Sequence, residues 1–462
     1  MKNNLLHTNQ DIFGQRSLSA PAILFLLAIH LGLAFAGRSI VLISTLHALL
    51  TFGIGLYIAL ISKHPRKIIL VTAYIVGAEI FWRMTNASIF WEFGKYAIIA
   101  LLLIGILREK RLHNAGLPIL YFLLLCISIP LTISAYGFSG NPLQMISFNL
   151  SGPLALAVSV LYFSQVKLSL KDLQKVAWFT AIPIVSVLTL AFYNTITAAN
   201  INFTSESNFL TSGGFGPNQV SAILGLGAVM MFLVIVFSTK TSQRLIASGL
   251  MLAFLVQSTL TFSRGGIYNA GICILLGSLH LLKVKKGKIG VFVLLFAIAL
   301  IGVYFLYPQL DQFTGGMLTQ RFADINASGR LQIAQADIEI WKQNLFLGVG
   351  PGEAAYQAVM YYGQYAAAHT EYTRLLAEHG IPGLIAIGLL ILMALRAYFR
   401  TPTWESKLWT VVFLAWPLVE MSHAAMRIAA ISFLFGLANA VWIEQAQKSP
   451  DPVMNKLSTK RE

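Results

Sequence analysis

The stretch NQVSAILGLGAVMMFLVIVFS, residues 218–238, contains no charged side chain and is long enough to cross a lipid bilayer as a helix. A transmembrane helix needs about 20 consecutive, mainly apolar residues. Two pairs of the apolar runs in this chain are weakly separated, so we predict twelve to fourteen spans. The candidate runs are 18–37, 39–61, 68–84, 88–107, 117–135, 143–163, 176–196, 218–238, 245–262, 267–282, 289–306, 381–399, 408–424 and 427–444. The sequence therefore predicts an all-α polytopic membrane protein.

The composition of the whole chain supports this fold class. Hydrophobic residues make up 56% of the 462 residues and charged residues only 11%. Soluble globular proteins carry about a quarter charged residues, so a soluble enzyme or a disordered chain is excluded. A β-barrel would show short segments of alternating polarity, which the sequence lacks. Cys126 and Cys273 both lie in apolar runs, which indicates core packing rather than a disulfide.

The formal net charge of +15 reflects where the basic residues lie. Short connections on one side of the predicted membrane, together with both termini, hold 24 of the 33 Lys and Arg residues. Positive charge is retained on the cytoplasmic side during insertion, so both termini, including the tail 445–462, are predicted to be cytoplasmic. The excess charge therefore indicates orientation and contact with anionic membrane lipids, and we expect no nucleic-acid partner.

One long segment, residues 307–380, lies on the opposite side of the predicted membrane. It holds 7 of the 18 acidic residues and separates N-terminal spans in 1–306 from C-terminal spans in 381–444. Long loops in compact proteins are usually functional or disordered. Within this segment we predict two helices, over 328–344 and 353–362. The first would have Ser328 as N-cap and an apolar face of Leu331, Ala334, Ile338 and Trp341. Tyr356, Tyr361, Tyr362 and Tyr365 cluster after it, to stack on sugar faces or to lie at the bilayer interface.

His369 is the candidate catalytic base in this segment. Thr370 can cap a helix that ends at Gly380, which places His369 at the helix N-terminus. The field there disfavours the imidazolium form, and a neutral imidazole can accept a proton from a substrate. The alternative is a histidine that only caps or packs a loop.

Arg264 is the second unusual residue, within TFSRGG at 261–266 and between two apolar runs on the predicted outer side. A guanidinium group beside glycine amides suits phosphate oxygens. The alternative is an arginine that reaches the interface or pairs with Glu79 or Glu420, since an unpaired arginine there costs a few kcal/mol.

Other polar residues in the apolar runs permit similar interpretations. Glu79 and Arg83 are four residues apart and are expected to pair. Glu420, His423 and Arg427 would share one helical face, as a structural polar seam or as a proton relay. Asn218 opens a span and is placed to line the external cavity. Metal-ligand spacing, phosphate-binding loops and dinucleotide fingerprints are lacking, so neither a metal nor a cofactor is predicted.

Several motifs occur together in a characteristic order. They are GPNQ at 216–219, the stretch 261–266, Gly329-Arg330 with the turn GVGPG at 348–352, and HTEYTRLLAEHG at 369–380. In this arrangement the chain resembles the bacterial O-antigen ligase and O-antigen polymerase superfamily. The resemblance implies an inner-membrane enzyme with a C-type glycosyltransferase fold, whose active site faces the periplasm. Such enzymes transfer a glycan from undecaprenyl pyrophosphate to an acceptor hydroxyl.

The resemblance also implies roles for individual residues. Arg264 and Arg330 would hold the pyrophosphate and His369 would activate the acceptor hydroxyl, without a metal. The expected substrate-binding residues are Arg264, Arg330, Ser263, Gly265, Asn218, Tyr372 and Arg374. Ligases use lipid A–core as acceptor, whereas polymerases use a growing lipid-linked glycan. We predict a ligase, with a polymerase of the same superfamily and a lipid-linked glycan transporter as the alternatives.

Overall fold

A computed structural model describes residues 18–109, 115–137, 140–284, 289–324 and 329–442. Within these ranges the chain is almost entirely α-helical, and nine helical segments are long and apolar enough to cross a membrane. The predicted all-α polytopic architecture is therefore confirmed. The predicted total of twelve to fourteen spans would also require some or all of five further helices. These helices are shorter or more polar than the nine.

The first half of the chain forms nine helices and one very short strand. They are α1 (Ala20–Ser39), α2 (Val41–Leu60), α3 (Ile68–Met84), α4 (Phe93–Glu109), α5 (Gly116–Cys126), α6 (Ile129–Tyr136), α7 (Gly140–Phe163), β1 (Lys167–Leu168), α8 (Leu170–Thr197) and α9 (Pro217–Phe237). A single 3-10 turn, Pro65–Lys67, precedes α3.

The second half contributes eleven helices and the partner strand. They are α10 (Thr241–Leu260), α11 (Arg264–Leu281), α12 (Ile289–Leu300), α13 (Tyr307–Phe313), α14 (Met317–Ala323), α15 (Arg330–Gln343), α16 (Ala354–Gln357), α17 (Val359–Tyr362), α18 (Glu371–Arg400), α19 (Trp404–Met421), α20 (Ala429–Ala438) and β2 (Val441–Trp442). A π-helical stretch, Ile301–Leu306, joins α12 to α13.

Helix α9 is the centre of the bundle. It corresponds to the charge-free stretch 218–238, and its apolar window is wholly buried by the surrounding helices. Only 11% of the window in Ile289–Phe313 is buried, and side chains such as Phe296 and Phe305 lie 64% and 69% exposed. Apolar side chains on such an outer helix face lipid, which is as apolar as they are.

Helices α9 and α11 approach each other closely through glycine. A Cβ atom added to Gly266 would lie 2.1 Å from the carbonyl oxygen of Ser221, and one added to Gly225 would lie 2.4 Å from the carbonyl oxygen of Gly266. Small residues permit this backbone contact between membrane helices. The contact fixes the N-terminus of α11, and with it Arg264, against α9.

We expect Gly266→Ala to destabilise the folded protein by about 1–3 kcal/mol, because the new methyl group has no space between the two backbones. Gly271→Ala on the same helix is the matched control, since no atom lies within 4 Å of its added Cβ. Thermal unfolding of both variants in detergent measures the difference. Equal melting temperatures for Gly266→Ala and the wild type would show that the crossing is loose.

The external segment begins with a continuation of the membrane helix, which runs on through α13 to Phe313. The predicted helix over 328–344 is α15, although Ser328 lies outside the described residues. Its buried residues are Ile333, Ala336, Asp337 and Ile340. The predicted apolar face was therefore wrong, and Leu331 is 59% exposed. Docking against α18 buries Asp337, a polar residue that hydrophobic periodicity assigns to the other face.

The ends of α18 agree with the predicted signals. The Thr370 hydroxyl oxygen accepts a hydrogen bond from the amide of Tyr372 at 3.3 Å. Gly380 has a φ of 60° and interrupts the helix, so a short external helix precedes the membrane helix. The predicted helix over 353–362 is also present, as the two single turns α16 and α17.

The last predicted span, 427–444, is not a regular crossing helix. Of its described residues, 427–442, only Ala429–Ala438 form a helix. These 10 residues at about 1.5 Å each give about 15 Å, half of a bilayer core. Beyond α20, β2 pairs in parallel with β1, joining Val441 to Lys167. This pairing ties the end of the described chain to the connection before α8.

Candidate active site

Four helices begin around one hollow. Asn218 is in the first turn of α9, Ser263 precedes α11, Arg330 is the first residue of α15, and His369 lies two residues before α18. Helix N-termini carry partial positive charge and unpaired amide groups, which favour anions. The fold therefore concentrates backbone charge of one sign where the cationic side chains also lie.

Asn218 links the members of this cluster. Its Oδ1 atom accepts a hydrogen bond from Ser263 Oγ at 2.8 Å and another from Arg330 Nη2 at 3.2 Å. Asn218 and His369 both line a cavity of about 190 Å³, together with Arg427 and Glu420. The structure thus brings together four of the residues that the sequence analysis singled out, Asn218, Ser263, Arg330 and His369.

Arg264 lies beside this cluster at the start of α11. It donates a hydrogen bond to the main-chain carbonyl of Asp324, after α14. Burial lowers the pKa of Arg330, and the charge of Arg264 lowers it further. The alternative pairing with Glu79 is not observed, because that carboxylate forms an ion pair with Arg83 at 2.7 Å, as predicted.

Two arginines in this cluster are not among the predicted site residues. Arg321 Nε donates to the carbonyl of Phe262 at 2.9 Å, and Arg427 Nη2 donates to the carbonyl of Ala368 at 3.0 Å. Burial lowers the pKa of Arg321, and the charges of Arg264 and Arg330 lower it further. Mutual repulsion between like charges is relieved when an anion binds, so the hollow suits a ligand with more than one negative charge.

The imidazole of His369 is neutral over the physiological pH range. Burial, the largest cause, together with the charges of Arg330 and Arg427 lowers its pKa to about 4. This pKa favours the neutral form that the sequence predicts, with burial rather than the helix field as its main physical cause. A neutral imidazole among arginines can accept a proton without first losing one.

The residues Glu420, His423 and Arg427 do not share one helical face, so that prediction was wrong. Helix α19 ends at Met421, and the last two residues lie in the following loop. Glu420 Oε2 accepts a hydrogen bond from Asn269 Nδ2 at 3.0 Å and lies 3.6 Å from His423 Nε2. Apolar periodicity continues past Met421 in the sequence, which concealed the end of the helix.

Gly265 packs against the ring of His423. A Cβ added to Gly265 would lie 2.6 Å from His423 Cε1. The sequence predicted accessible amides at both glycines after Arg264. At Gly265 and Gly266 the structure instead uses the missing side chain for close packing, and the substrate-binding role of Gly265 stays a prediction.

Two predicted substrate-binding residues lie on α18 with other partners. The Tyr372 hydroxyl donates to the carbonyl of Leu418 at 2.8 Å. Arg374 is buried and forms ion pairs with Glu371, at 2.5 Å, and with Glu378. Arg374 lines a second cavity of about 380 Å³ rather than the hollow around His369.

Helix α15, which presents Arg330, is held to α18 by one hydrogen bond. The Thr373 hydroxyl donates to Asp337 Oδ2 at 2.7 Å. Burial raises the pKa of Asp337 to about 6, although the Thr373 hydrogen bond and the charge of Arg374 oppose the shift. This contact fixes the angle at which Arg330 enters the hollow.

Over the described ranges, no group of three His, Cys, Asp or Glu side chains is arranged to hold a metal ion. The polar groups around the hollow are mainly arginine, histidine and amide side chains, whose chemistry matches an anionic ligand.

Comparison with known families matches residues 258–388 to the family described as O-antigen ligase. Residues 258–388 are therefore similar to an O-antigen ligase domain. The domain extends from the end of α10 into α18, so it contains Arg264, Arg330 and His369. This match confirms the predicted resemblance to the O-antigen ligase and polymerase superfamily. It implies a multi-pass membrane protein with glycosyltransferase-like activity on lipid-linked glycans. No curated protein matches the chain significantly.

Proposed function

We propose that this O-antigen ligase domain protein transfers a glycan from undecaprenyl pyrophosphate to an acceptor hydroxyl on the periplasmic face of the inner membrane. One observation carries the proposal. His369 lines the same cavity as Asn218, and Arg330 donates a hydrogen bond to Asn218. A proton acceptor and a guanidinium group therefore lie around one hollow, in a domain whose family acts on lipid-linked glycans.

The residues support a complete transfer step. The acceptor oxygen attacks the anomeric carbon while the bond from that carbon to the diphosphate oxygen breaks. The bonding electrons leave with the diphosphate, and Arg264 and Arg330 stabilise the charge that develops on it. The acceptor proton passes to His369 and later to water. Attack from the face opposite the diphosphate inverts the anomeric centre.

The charge pattern supports a periplasmic site. Basic residues concentrate on the predicted cytoplasmic connections, and the segment 307–380 supplies Arg330 and His369 from the other side. We propose that the chain divides into membrane helices in 1–306 and 381–444, the external segment 307–380, and a cytoplasmic tail at 445–462. The two termini lie outside the described residues. The external segment would cover the bound donor and limit its hydrolysis by water.

Within this activity we propose ligation to lipid A–core, which the description of the matched family supports. A deletion strain tests the choice. Loss of the ligase would leave lipopolysaccharide without O-antigen while long lipid-linked polymer accumulates. Loss of a polymerase would instead leave lipopolysaccharide capped with single repeat units.

Purified protein in lipid vesicles provides the direct test. With lipid diphosphate-linked glycan and acceptor, we expect glycosylated acceptor and free lipid diphosphate in equal amounts. A chelator is expected to leave the rate unchanged, as the family resemblance implies a reaction without metal. Movement of the donor across the vesicle membrane without bond formation would support a transporter and contradict the proposal.

The pKa of His369 sets the expected pH dependence. His369 can accept a proton only when it is neutral. The titration of His369 should therefore leave kcat/KM constant between pH 5 and 7. At pH values below its pKa of about 4, kcat/KM should decrease. The bound diphosphate adds negative charge that favours imidazolium, so the acid limb of kcat should lie at higher pH than that of kcat/KM. Rates in vesicles from pH 3.5 to 8 measure both. A kcat/KM limb near the ordinary histidine pKa of about 6.5 would contradict the assignment.

A further inference from the structure

The second cavity, of about 380 Å³, lies between the start of α7, the turn α16 and the start of α18. Its volume falls within the roughly 300–1,000 Å³ typical of ligand pockets. It is thus large enough to hold a ligand of its own.

The lining of this cavity combines aromatic rings with amide groups. Tyr356 and Tyr365 meet edge to face with ring centroids 5.1 Å apart, and Phe148 of α7 also lines the cavity. Asn141 and Gln144 contribute exposed side-chain amides from the first turns of α7. Aromatic rings pack against the apolar faces of sugars, and amides exchange hydrogen bonds with hydroxyl groups.

Apart from Arg427, which donates to the carbonyl of Ala368, the cationic side chains around this cavity form ion pairs with carboxylates. Arg374 forms ion pairs with Glu371 and Glu378, and Lys95 forms one with Glu92 at 2.5 Å. This lining contrasts with the arginine cluster around His369, where Glu420 is the carboxylate that lines the hollow. A second phosphate group would find little uncompensated positive charge here, whereas an uncharged sugar would find the contacts that it needs.

The two cavities share a thin wall. Ala425 and Arg427 line both of them, and Ala368, beside His369, lines the larger one. The Arg427 guanidinium holds this wall by its hydrogen bond to the carbonyl of Ala368. A ligand that fills the larger cavity up to this wall would therefore lie close to His369, the candidate base.

We propose that the 380 Å³ cavity binds the acceptor, through an uncharged saccharide terminus that lies against Tyr356 and Tyr365 and directs one hydroxyl past Arg427 to His369. This inference rests on the proposed transferase function. It assigns donor and acceptor to separate cavities, with the diphosphate in the cationic one.

Transfer rates at varied acceptor and donor concentrations test this assignment. Tyr356→Ala and Tyr365→Ala should each raise the acceptor KM about tenfold, through loss of ring packing, and leave the donor KM unchanged. Both side chains are about half exposed, at 49% and 58%, so the fold should tolerate their removal. Tyr361→Ala is the matched control, because Tyr361 belongs to the same external segment and does not line the cavity. An unchanged acceptor KM in both tyrosine variants, or a raised donor KM, would overturn the inference about the cavity. The transferase function is tested separately, by whether the wild-type protein transfers glycan at all.

Binding without transfer separates the two proposals. Saturation-transfer NMR with dephosphorylated core oligosaccharide should detect contact with the wild-type protein, and Tyr356→Ala should weaken it. Inorganic diphosphate should leave the oligosaccharide signal unchanged, because it binds in the other cavity. Displacement of the oligosaccharide by diphosphate would contradict separate cavities, even if no transfer were observed.

Discussion

The variant His369→Ala is expected to lose transfer activity by a factor of about 10²–10⁴, the usual contribution of a general base. The acceptor hydroxyl has a pKa far above 7, so it attacks slowly unless its proton is removed during the reaction. His369 is neutral and lines the hollow. It follows Ala368, whose carbonyl accepts a hydrogen bond from Arg427. The effect should appear in kcat, and single-turnover assays with saturating donor measure it.

Donor binding should survive this substitution, because the charge that holds a diphosphate comes from arginine. Added imidazole should restore part of the rate in the alanine variant by replacing the missing base. His64→Ala is the control, since His64 is exposed in the connection before α3. Transfer by His369→Ala at the wild-type rate would remove the histidine from the mechanism.

The variant Arg330→Gln should lower kcat by a factor of about 10²–10³, the usual effect of removing one donor that stabilises transition-state charge. Arg330 Nη2 already donates to Asn218, so the guanidinium is held in place before the donor arrives. Arg330→Lys should recover only part of the rate, because an ammonium group cannot form a paired contact with phosphate oxygens. Rates for the three proteins at saturating acceptor test this order.

Lys342→Gln is the matched control for Arg330→Gln. Lys342 lies at the other end of α15, where it forms an exposed ion pair with Glu339 at 2.7 Å. Its removal changes the net charge by the same amount and should leave kcat unchanged. If both variants lost activity equally, the effect would be one of overall charge and not of the hollow.

The membrane architecture could be predicted because a bilayer imposes simple constraints. Helix length and the absence of charge identify α9 from the sequence alone. Local signals also identified Thr370 as a cap and Gly380 as a helix end. The errors occurred where tertiary contacts outweigh periodicity: Asp337 is buried because Thr373 offers a hydrogen bond, and Leu331 is exposed.

The candidate site could be predicted residue by residue but not as an arrangement. Asn218, Arg264, Arg330 and His369 each stood at a helix start or beside a turn in the sequence. Their convergence depends on the Gly266 crossing and on the docking of α15, which no local pattern encodes. Arg321 has no distinguishing sequence feature, since its role follows from its contact with Phe262.

The larger cavity could not be found from the sequence for a similar reason. Its walls come from α7 and from a segment about 200 residues later. Gln144 lies in the apolar run 143–163, which indicates only a span, and Asn141 lies just before that run. The tyrosine cluster was visible, but sugar stacking and the bilayer interface predict the same composition. The structure separates Tyr356 and Tyr365, which line the cavity, from Tyr361, which does not.

Photo-crosslinking with a lipid diphosphate analogue tests the central assignment most directly, because it locates the donor independently of any rate. The reactive group should be placed beside the diphosphate, and the labelled peptides identified by mass spectrometry. We expect labels in residues 216–219, around Arg264 and Arg330, and at His369, all reduced by excess unlabelled donor. Specific labelling confined to the lipid-facing helix Ile289–Phe313 or to the larger cavity, with none around His369, would contradict the account.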